Sequence, residues 1–199
     1  MTPKREQKIK NVLNKRNANL TVVLENVHDP HNISAVLRTC DAVGIHEVYI
    51  LDTVHPEPEQ YGKKSSSSAL KWINIHFYDD IEKCLEAVRK NYKKVYATYL
   101  SVEGKSLYDL KLDDSVALLF GNEKDGLSDT ILKYADENFI IPQIGMLPSL
   151  NISVACAVTL YEVFRQQQAG NNFRPLAQDE LNVTFDLWSR REMEKKRFY

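Results

Sequence analysis

Six short runs of apolar and β-branched residues alternate along this chain with segments of helical pattern. The runs are LTVVLENV, EVYIL, WINIHFY, KKVYATYL, SVALLF and ENFIIP. Strands that are apolar along their length are typical of a parallel sheet, because helices connect such strands and cover both faces. The sequence therefore predicts an α/β domain with a mainly parallel sheet and helices on both faces.

Helical segments lie between and outside these runs. DPHNISAVLRTCDAVG predicts a helix with Asp29 or Asn32 near its N-cap and Gly44 at its end. An apolar helix is expected over 149–168, and amphipathic or basic helices at the two ends of the chain. We predict a basic helical N-terminal extension over 1–17, a domain over 18–170, and a helical, basic C-terminal extension over 171–199.

Charge is unevenly distributed. The chain has a formal net charge of −1, yet residues 1–20 carry six Lys or Arg against one acid. Residues 190–199 carry five basic residues against two acids, so the middle of the chain is acidic. Basic ends on an acidic body predict extensions that contact phosphates, the alternative being helices that are simply solvated.

Location and redox state follow from simple patterns. The sequence has no apolar signal region at its start and no apolar run long enough to span a bilayer, so a soluble cytoplasmic protein with no membrane contact is expected. Cys40, Cys84 and Cys156 are far apart and lie in apolar contexts. They predict buried thiols, with neither a disulfide framework nor a zinc site.

Candidate chemical groups follow the strands, because ligands of parallel sheets bind beyond the carboxyl ends of the strands. After the first strand, Asn32, Ala35 and Arg38 are spaced by three and lie roughly along one side of the helix, near its anion-favouring N-terminus. A capping Asn and a solvated Arg are the alternative. His28 and His31 have no partners at metal-ligand spacing, so no metal site is predicted.

The segment LLFGNEKDGLS follows another strand. Gly121 lets the backbone turn sharply, Ser128 can cap a helix, and Glu123 between them is either a functional carboxylate or a surface acid. The patterns G-x-G-x-x-G and G-x-x-x-x-G-K-[ST] are absent. Their absence argues against a dinucleotide dehydrogenase and a P-loop NTPase.

The segment IPQIGMLPSLNISVACAV follows the last strand and begins the apolar helix. Ser149 is expected to cap that helix, which leaves Asn151 as a polar residue in a sequence otherwise suited to the core. A buried amide without partners costs about 1–3 kcal/mol, so Asn151 needs partners. Ala155, Cys156 and Ala157 form a small-residue surface suited to a ligand, a helix or a second subunit.

Together, NISAVLRT, LLFGNEKDGLS and IPQIGMLPSLNISVACAV resemble, in this order, the three motifs of the SpoU/TrmH family of the SPOUT superfamily. The resemblance covers roughly residues 18–168. It implies S-adenosylmethionine-dependent 2′-O-methylation of RNA ribose, a deep C-terminal trefoil knot, and a homodimer whose active sites are completed by the partner subunit. The overall plan, with basic helical extensions at both ends, most resembles the members of the family that methylate guanosine 18 in the tRNA D-loop, which implies tRNA as the substrate.

The resemblance also assigns residues to roles. The catalytic residues it implies are Asn32, Arg38, Glu123, Ser149 and Asn151. The cofactor-binding residues are Thr98, Tyr99, Leu100, Gly121, Asn122, Ile141, Met146 and Leu150. The RNA-binding residues expected on the extensions and the apolar helix are Arg5, Lys8, Lys10, Arg16, Arg165, Arg190 and Arg191.

The family's chemistry suits an arginine that positions its substrate. An arginine side chain ordinarily titrates above about pH 12, which disfavours a literal base. We expect Arg38 to bind phosphate and polarise the ribose hydroxyl. Three alternatives remain: the same reaction on ribosomal RNA, the same reaction on the tRNA wobble ribose, and a catalytically silent RNA-binding protein. The segment GKKSSSSALKW departs from the glycine-rich loop of the family, which leaves the RNA contact of the serine-rich loop 62–70 open.

Overall fold

The computed structural model describes residues 1–55, 69–99 and 104–194. Its helices are α1 (Pro3–Leu13), α2 (Pro30–Val43), α3 (Ile81–Asn91), α4 (Asp129–Leu132), α5 (Ile152–Ala169) and α6 (Gln178–Glu194). Its strands are β1 (Leu20–Glu25), β2 (Glu47–Leu51), β3 (Asn74–Tyr78), β4 (Lys94–Thr98), β5 (Lys105–Ser106), β6 (Val116–Phe120) and β7 (Glu137–Ile140).

The strands form one parallel sheet in the order β3-β2-β1-β6-β4-β7-β5. All six predicted strands are present, which confirms the parallel α/β prediction. Every residue of the central strands β1 and β6 is buried, as strands covered on both faces require. The additional strand β5 is only two residues long, and both residues are polar, so no apolar run in the sequence predicts it.

Helices cover both faces of the sheet. On one face α2 and α5 pack side by side, and they bury Val36, Leu37 and Leu160 against β1 and β6. On the other face α3 and the short α4 bury Leu85 and Ile131. The two layers hold the sheet rigidly, so the loops at the carboxyl ends of its strands have fixed starting points.

The start of α5 differs from the prediction. The helix begins at Ile152, and the side chain of Asn151 accepts a hydrogen bond from the backbone N–H of Ser153. Asn151 is therefore the N-cap, the position that had been expected for Ser149. The physical reason is that Asn is as good an N-cap as Ser, so the sequence offers a second cap two residues later.

The two extensions pack on each other. Ile9 and Leu13 of α1 and Trp188 of α6 form a small apolar cluster of their own, apart from the main core. α1 ends at Leu13, four residues before the end of the predicted extension at 17, and α6 begins at Gln178, seven residues after the start of the predicted extension at 171. The domain boundaries at 17/18 and 170/171 stay a prediction.

Arg16 lies inside this junction and is only 1% exposed. Its guanidinium donates to the carbonyls of Ile45 and Trp72, each at 2.9 Å, pairs with Asp41, and stacks over the ring of Trp188 at 5.0 Å. Burial lowers the pKa of Arg16, and Asp41 opposes that shift. This position does not suit an RNA contact, so Arg16 is corrected from an RNA-binding to a structural residue.

The three cysteines are free and buried, as predicted. Burial raises the pKa of Cys84 to about 12, which makes this thiol unreactive. Within the described ranges, no helix has the length and apolarity needed to cross a membrane. In the same ranges no three His, Cys, Asp or Glu side chains gather as a metal site, and the expectation of no metal stays a prediction.

Candidate active site

The loops after β4, β6 and β7 enclose a cleft of about 490 Å³, which we call the main cleft. Its walls come from Thr98 and Tyr99, from 120–127, from 139–141 and Gln143, and from 148–152 with Ala155 in the first turns of α5. These segments follow three neighbouring strands, so parallel pairing brings their carboxyl ends to one edge. The edge predicted to carry the chemistry is therefore the edge that holds a cavity.

Most residues predicted to bind the cofactor lie on this cleft. Those that line it are Thr98, Tyr99, Gly121, Asn122, Ile141 and Leu150. Leu100 lies outside the described residues. Met146 does not line the cleft, because its side chain is fully exposed on the loop between β7 and α5. A cofactor contact by Met146 stays a prediction.

The turn over 121–126 carries Glu123 at its tip. Asn122 accepts hydrogen bonds from the backbone N–H groups of Lys124 and Asp125, at 2.9 and 2.7 Å, and its carbonyl accepts one from Gly126. Gly126 has a φ of +70°, the left-handed conformation that glycine adopts without strain. Asn122 therefore holds the shape of the turn with its side chain.

A buried carboxylate anchors the end of the same turn. Glu25, 1% exposed at the end of β1, accepts hydrogen bonds from the backbone N–H of Ser128 at 2.8 Å and from its hydroxyl at 2.6 Å. Sequence reasoning missed Glu25, although a lone acid ending an apolar strand is a signal that could have found it. The contact ties the turn to the sheet.

Three residues from the three predicted motifs meet beside the main cleft. Asn32, in the first turn of α2, donates a short hydrogen bond from its amide to the carboxylate of Glu123. Asn151 donates in turn to the amide oxygen of Asn32 at 3.0 Å. These groups are 91 and 119 residues apart in the sequence, so only the fold brings them together. We use the name amide chain for four residues linked in this order: Glu123, Asn32, Asn151 and Ser153.

Ser149 and Arg38 are placed differently. Ser149 lines the main cleft next to the amide chain. Arg38 does not line it and lies six residues beyond Asn32, about 9 Å further along the axis of α2 at 1.5 Å per residue. Its side chain is exposed, and no described residue pairs with it. Arg38 is therefore free to bind an anion.

A second cleft, of about 400 Å³, lies on the other side of the same turn. Glu25, His28 and Asp29 at the end of β1 form one wall, and the turn over 122–126 forms the other. Glu123 lines both clefts. A carboxylate between two cavities can contact a ligand in each.

The residues predicted to bind RNA fall into two groups. Arg5 pairs with Glu192 at 3.1 Å, Lys10 with Glu6 at 2.6 Å, Arg165 with Glu162 at 2.7 Å, and Arg191 donates to the carbonyl of Lys71 at 3.1 Å. The hydrogen bond from Arg165 lowers the pKa of Glu162. Lys8 and Arg190, by contrast, are exposed and have no carboxylate partner in the described part of the chain. Charges that are already paired bind phosphate less readily than these two.

Comparisons with known proteins agree with this geometry. A model described as "SpoU rRNA Methylase family" matches residues 19–161. A tRNA (guanosine(18)-2′-O)-methyltransferase of Thermus thermophilus is 39% identical over 181 residues, covering 90% of this chain and 92% of that protein.

Two solved structures are similar as well. The crystal structure of the Aquifex aeolicus TrmH/SpoU tRNA modifying enzyme superposes with a TM-score of 0.86 and is 33% identical, covering 95% of this chain and 96% of that one. The SpoU methyltransferase AviRb from Streptomyces viridochromogenes, in complex with the cofactor AdoMet, has a TM-score of 0.67 and is 25% identical, covering 80% of this chain and 65% of that one. The similarity therefore spans the sheet, its loops and both clefts.

Proposed function

This chain belongs to the SpoU rRNA methylase family, and on that premise we propose that it is a tRNA methyltransferase acting on the ribose 2′-hydroxyl of guanosine 18. The reaction takes its methyl group from S-adenosylmethionine. The observation that carries the proposal is the amide chain. It joins Asn32 to Glu123 and Asn151, and the last two residues line the main cleft. The names of the relatives select tRNA over ribosomal RNA.

The residues of the main cleft fit the cofactor. Its apolar side chains, among them Ile141 and Leu150, suit the face of an adenine ring, and its strand ends offer backbone N–H and carbonyl groups. When bound there, S-adenosylmethionine supplies the electrophilic methyl group. Ser149 and Asn151 would orient the ligands on that wall, and Glu123 and Asn32 would hold the ribose.

Arg38 would act on the substrate. A guanidinium binds a phosphate through two parallel N–H donors, and the same positive charge would polarise the ribose 2′-hydroxyl. The second cleft offers the substrate nucleotide a space adjoining Glu123. The protein's share of the catalysis is then alignment and electrostatics.

We further propose a homodimer. Val154, Tyr161 and Phe164 of α5 are 46%, 54% and 36% exposed on the helix that begins at the site. Ile144 and Leu147, in the loop between β7 and α5, are exposed too. An exposed apolar surface of this kind marks an interface, and a partner seated on it would complete each active site. A cytoplasmic location stays a prediction.

The trefoil knot belongs to the same proposal. β7 is inserted between β4 and β5, and the chain then runs through the loop over 141–151 to α5, which packs against α2. The insertion of β7 between two earlier strands, followed by the packing of α5 against α2, supports a threaded C-terminal segment.

The direct test is methyl transfer with nucleotide-level mapping. Labelled S-adenosylmethionine and an unmodified tRNA transcript should give one 2′-O-methylated nucleotide, guanosine 18, and no product on a transcript with adenosine at that position. A ribosomal RNA fragment is the matched control. Methylation of that fragment or of the wobble ribose would replace the substrate assignment, and no transfer to any RNA would leave a silent RNA-binding protein.

For RNA binding we propose the exposed cations of the extensions, chiefly Lys8 and Arg190. Lys8→Ala should weaken tRNA binding and lower the slope of log affinity against log salt by about one, the value for one lost phosphate contact. Lys83→Ala on α3, which packs on the face of the sheet opposite α2 and α5 and belongs to neither extension, should change neither. Filter binding across a salt series measures both, and an unchanged slope for Lys8→Ala would leave α1 a structural helix only.

A further inference from the structure

The hydroxyl of Ser153 ends the amide chain. It donates to the side-chain oxygen of Asn151 at 2.6 Å, and the backbone N–H of the same serine donates to that oxygen at 2.8 Å. The backbone bond caps α5, and any residue except proline would supply it at this position. The hydroxyl bond is specific to serine or threonine, and sequence reasoning did not select it.

The direction of the chain follows from its other end. Glu123, as an ionised carboxylate, only accepts hydrogen bonds. Asn32 must therefore turn its NH2 group towards Glu123, which leaves its oxygen facing Asn151. Asn151 must then also turn its NH2 group towards Asn32, so its oxygen faces Ser153. Each amide has one orientation that satisfies all of these contacts.

We propose that Ser153 is a positioning residue for methyl transfer. Its hydroxyl gives the Asn151 oxygen a second donor, in the orientation that the donor-only backbone N–H and the carboxylate of Glu123 select, and so holds Asn151, Asn32 and Glu123 in that arrangement. The inference rests on the proposed function of the site. Without the hydroxyl, one donor holds the Asn151 oxygen, and the terminal amide torsion is broad and roughly two-fold. A flipped amide would face the Asn32 oxygen with its own oxygen, a repulsive contact.

The expected effect is moderate, because Asn151 and Glu123 are exposed and water can replace part of a lost bond. Ser153→Ala should lower kcat about fivefold to tenfold, the effect of one hydrogen bond. The KM values for tRNA and S-adenosylmethionine should stay within about twofold of the parent, since the lost bond holds no substrate. Ser153→Thr keeps the hydroxyl and should restore kcat to within about twofold of the parent.

The control for hydroxyl loss is Ser115→Ala. Ser115 lies just before β6, at the opposite edge of the sheet from the clefts, and its hydroxyl donates to the carbonyl of Asn91. This variant should leave kcat unchanged. If Ser153→Ala has the kcat of the parent, or if Ser153→Thr fails to recover it, the positioning role is excluded.

A second pair of variants, made in an Asn151→Asp protein, separates the effect of the hydroxyl on the amide orientation from the capping of α5. Asn151→Asp keeps the N-cap, since Asp caps as well as Asn, but its symmetric carboxylate has no amide orientation to fix. In that background Ser153→Ala should change the single-turnover rate by less than about twofold. A full fivefold to tenfold effect there would show that the hydroxyl acts independently of the amide.

A spectroscopic readout separates this inference from the proposed function. Nitrogen-15 NMR of the full chain should show the side-chain NH2 signals of Asn32 and Asn151 shifted in Ser153→Ala and retained in Ser153→Thr. This result needs no turnover. If the parent protein transfers no methyl group but Ser153→Ala shifts these signals, only the proposed function is overturned. If Ser153→Ala leaves the signals unchanged, the hydrogen-bonded amide chain itself is overturned.

Discussion

Replacing Arg38 with alanine should lower kcat for tRNA methylation about 100- to 1,000-fold, the usual effect of losing a transition-state electrostatic contact. The affinity for S-adenosylmethionine should not change, because Arg38 does not line the main cleft. Stability should not change either, since the side chain is exposed and pairs with no described residue. Single-turnover kinetics, calorimetry and a thermal melt together test these three expectations.

Arg38→Lys is the matched control for charge alone. Lysine keeps the positive charge but loses the planar pair of donors, so it should recover a small part of the rate. Equal loss in both variants would indicate that two-pronged phosphate binding matters most. A kcat within about threefold of the parent in Arg38→Ala would remove Arg38 from the mechanism.

Replacing Gly121 with alanine should weaken cofactor binding at least a hundredfold. A Cβ atom at this position would overlap the backbone carbonyl carbon and oxygen of Gly126 and the backbone nitrogen of Leu127. Backbone cannot rotate away as a side chain does, so the turn must open and displace Glu123. Overpacking of this kind costs about 1–3 kcal/mol or more. We expect a lower melting temperature and at least a hundredfold weaker S-adenosylmethionine affinity by calorimetry, since the same turn walls the cleft.

Gly145→Ala is the matched control. Gly145 lies in the loop between β7 and α5, and no heavy atom lies within 4 Å of a Cβ built there. The same substitution should therefore leave stability and cofactor affinity close to those of the parent. Equal behaviour of the two variants would mean that the turn adapts, and that its close backbone approach does not shape the cleft.

Much of the fold was predictable, because local periodicity reports which face of a segment is buried. The runs at β1 and β6 are apolar throughout, and both strands are buried throughout. Gly44 ends α2 with a φ of +88°, as its place in the sequence predicts. β5 escaped prediction because two residues are too short for a pattern.

The site was predictable in composition but only partly in geometry. Motif resemblance selected Asn32, Glu123 and Asn151, and the structure joins them by hydrogen bonds. It could not show that Asn151 caps α5, or that Ser153 adds a second bond to it. Both facts depend on the residue at which α5 begins, and local patterns do not locate a helix start to a single residue.

Taken by itself, the sequence determined the parallel α/β class, the order of the motifs and the residue types available for chemistry. All of these depend on the spacing and polarity of neighbouring residues along the chain. The tertiary structure alone decided that Arg16 is buried against Trp188 while Lys8 is exposed, and that Asn32 lies beside Asn151. A charge or an amide acquires its role from its partners, and here those partners are distant in sequence, where local patterns carry no information.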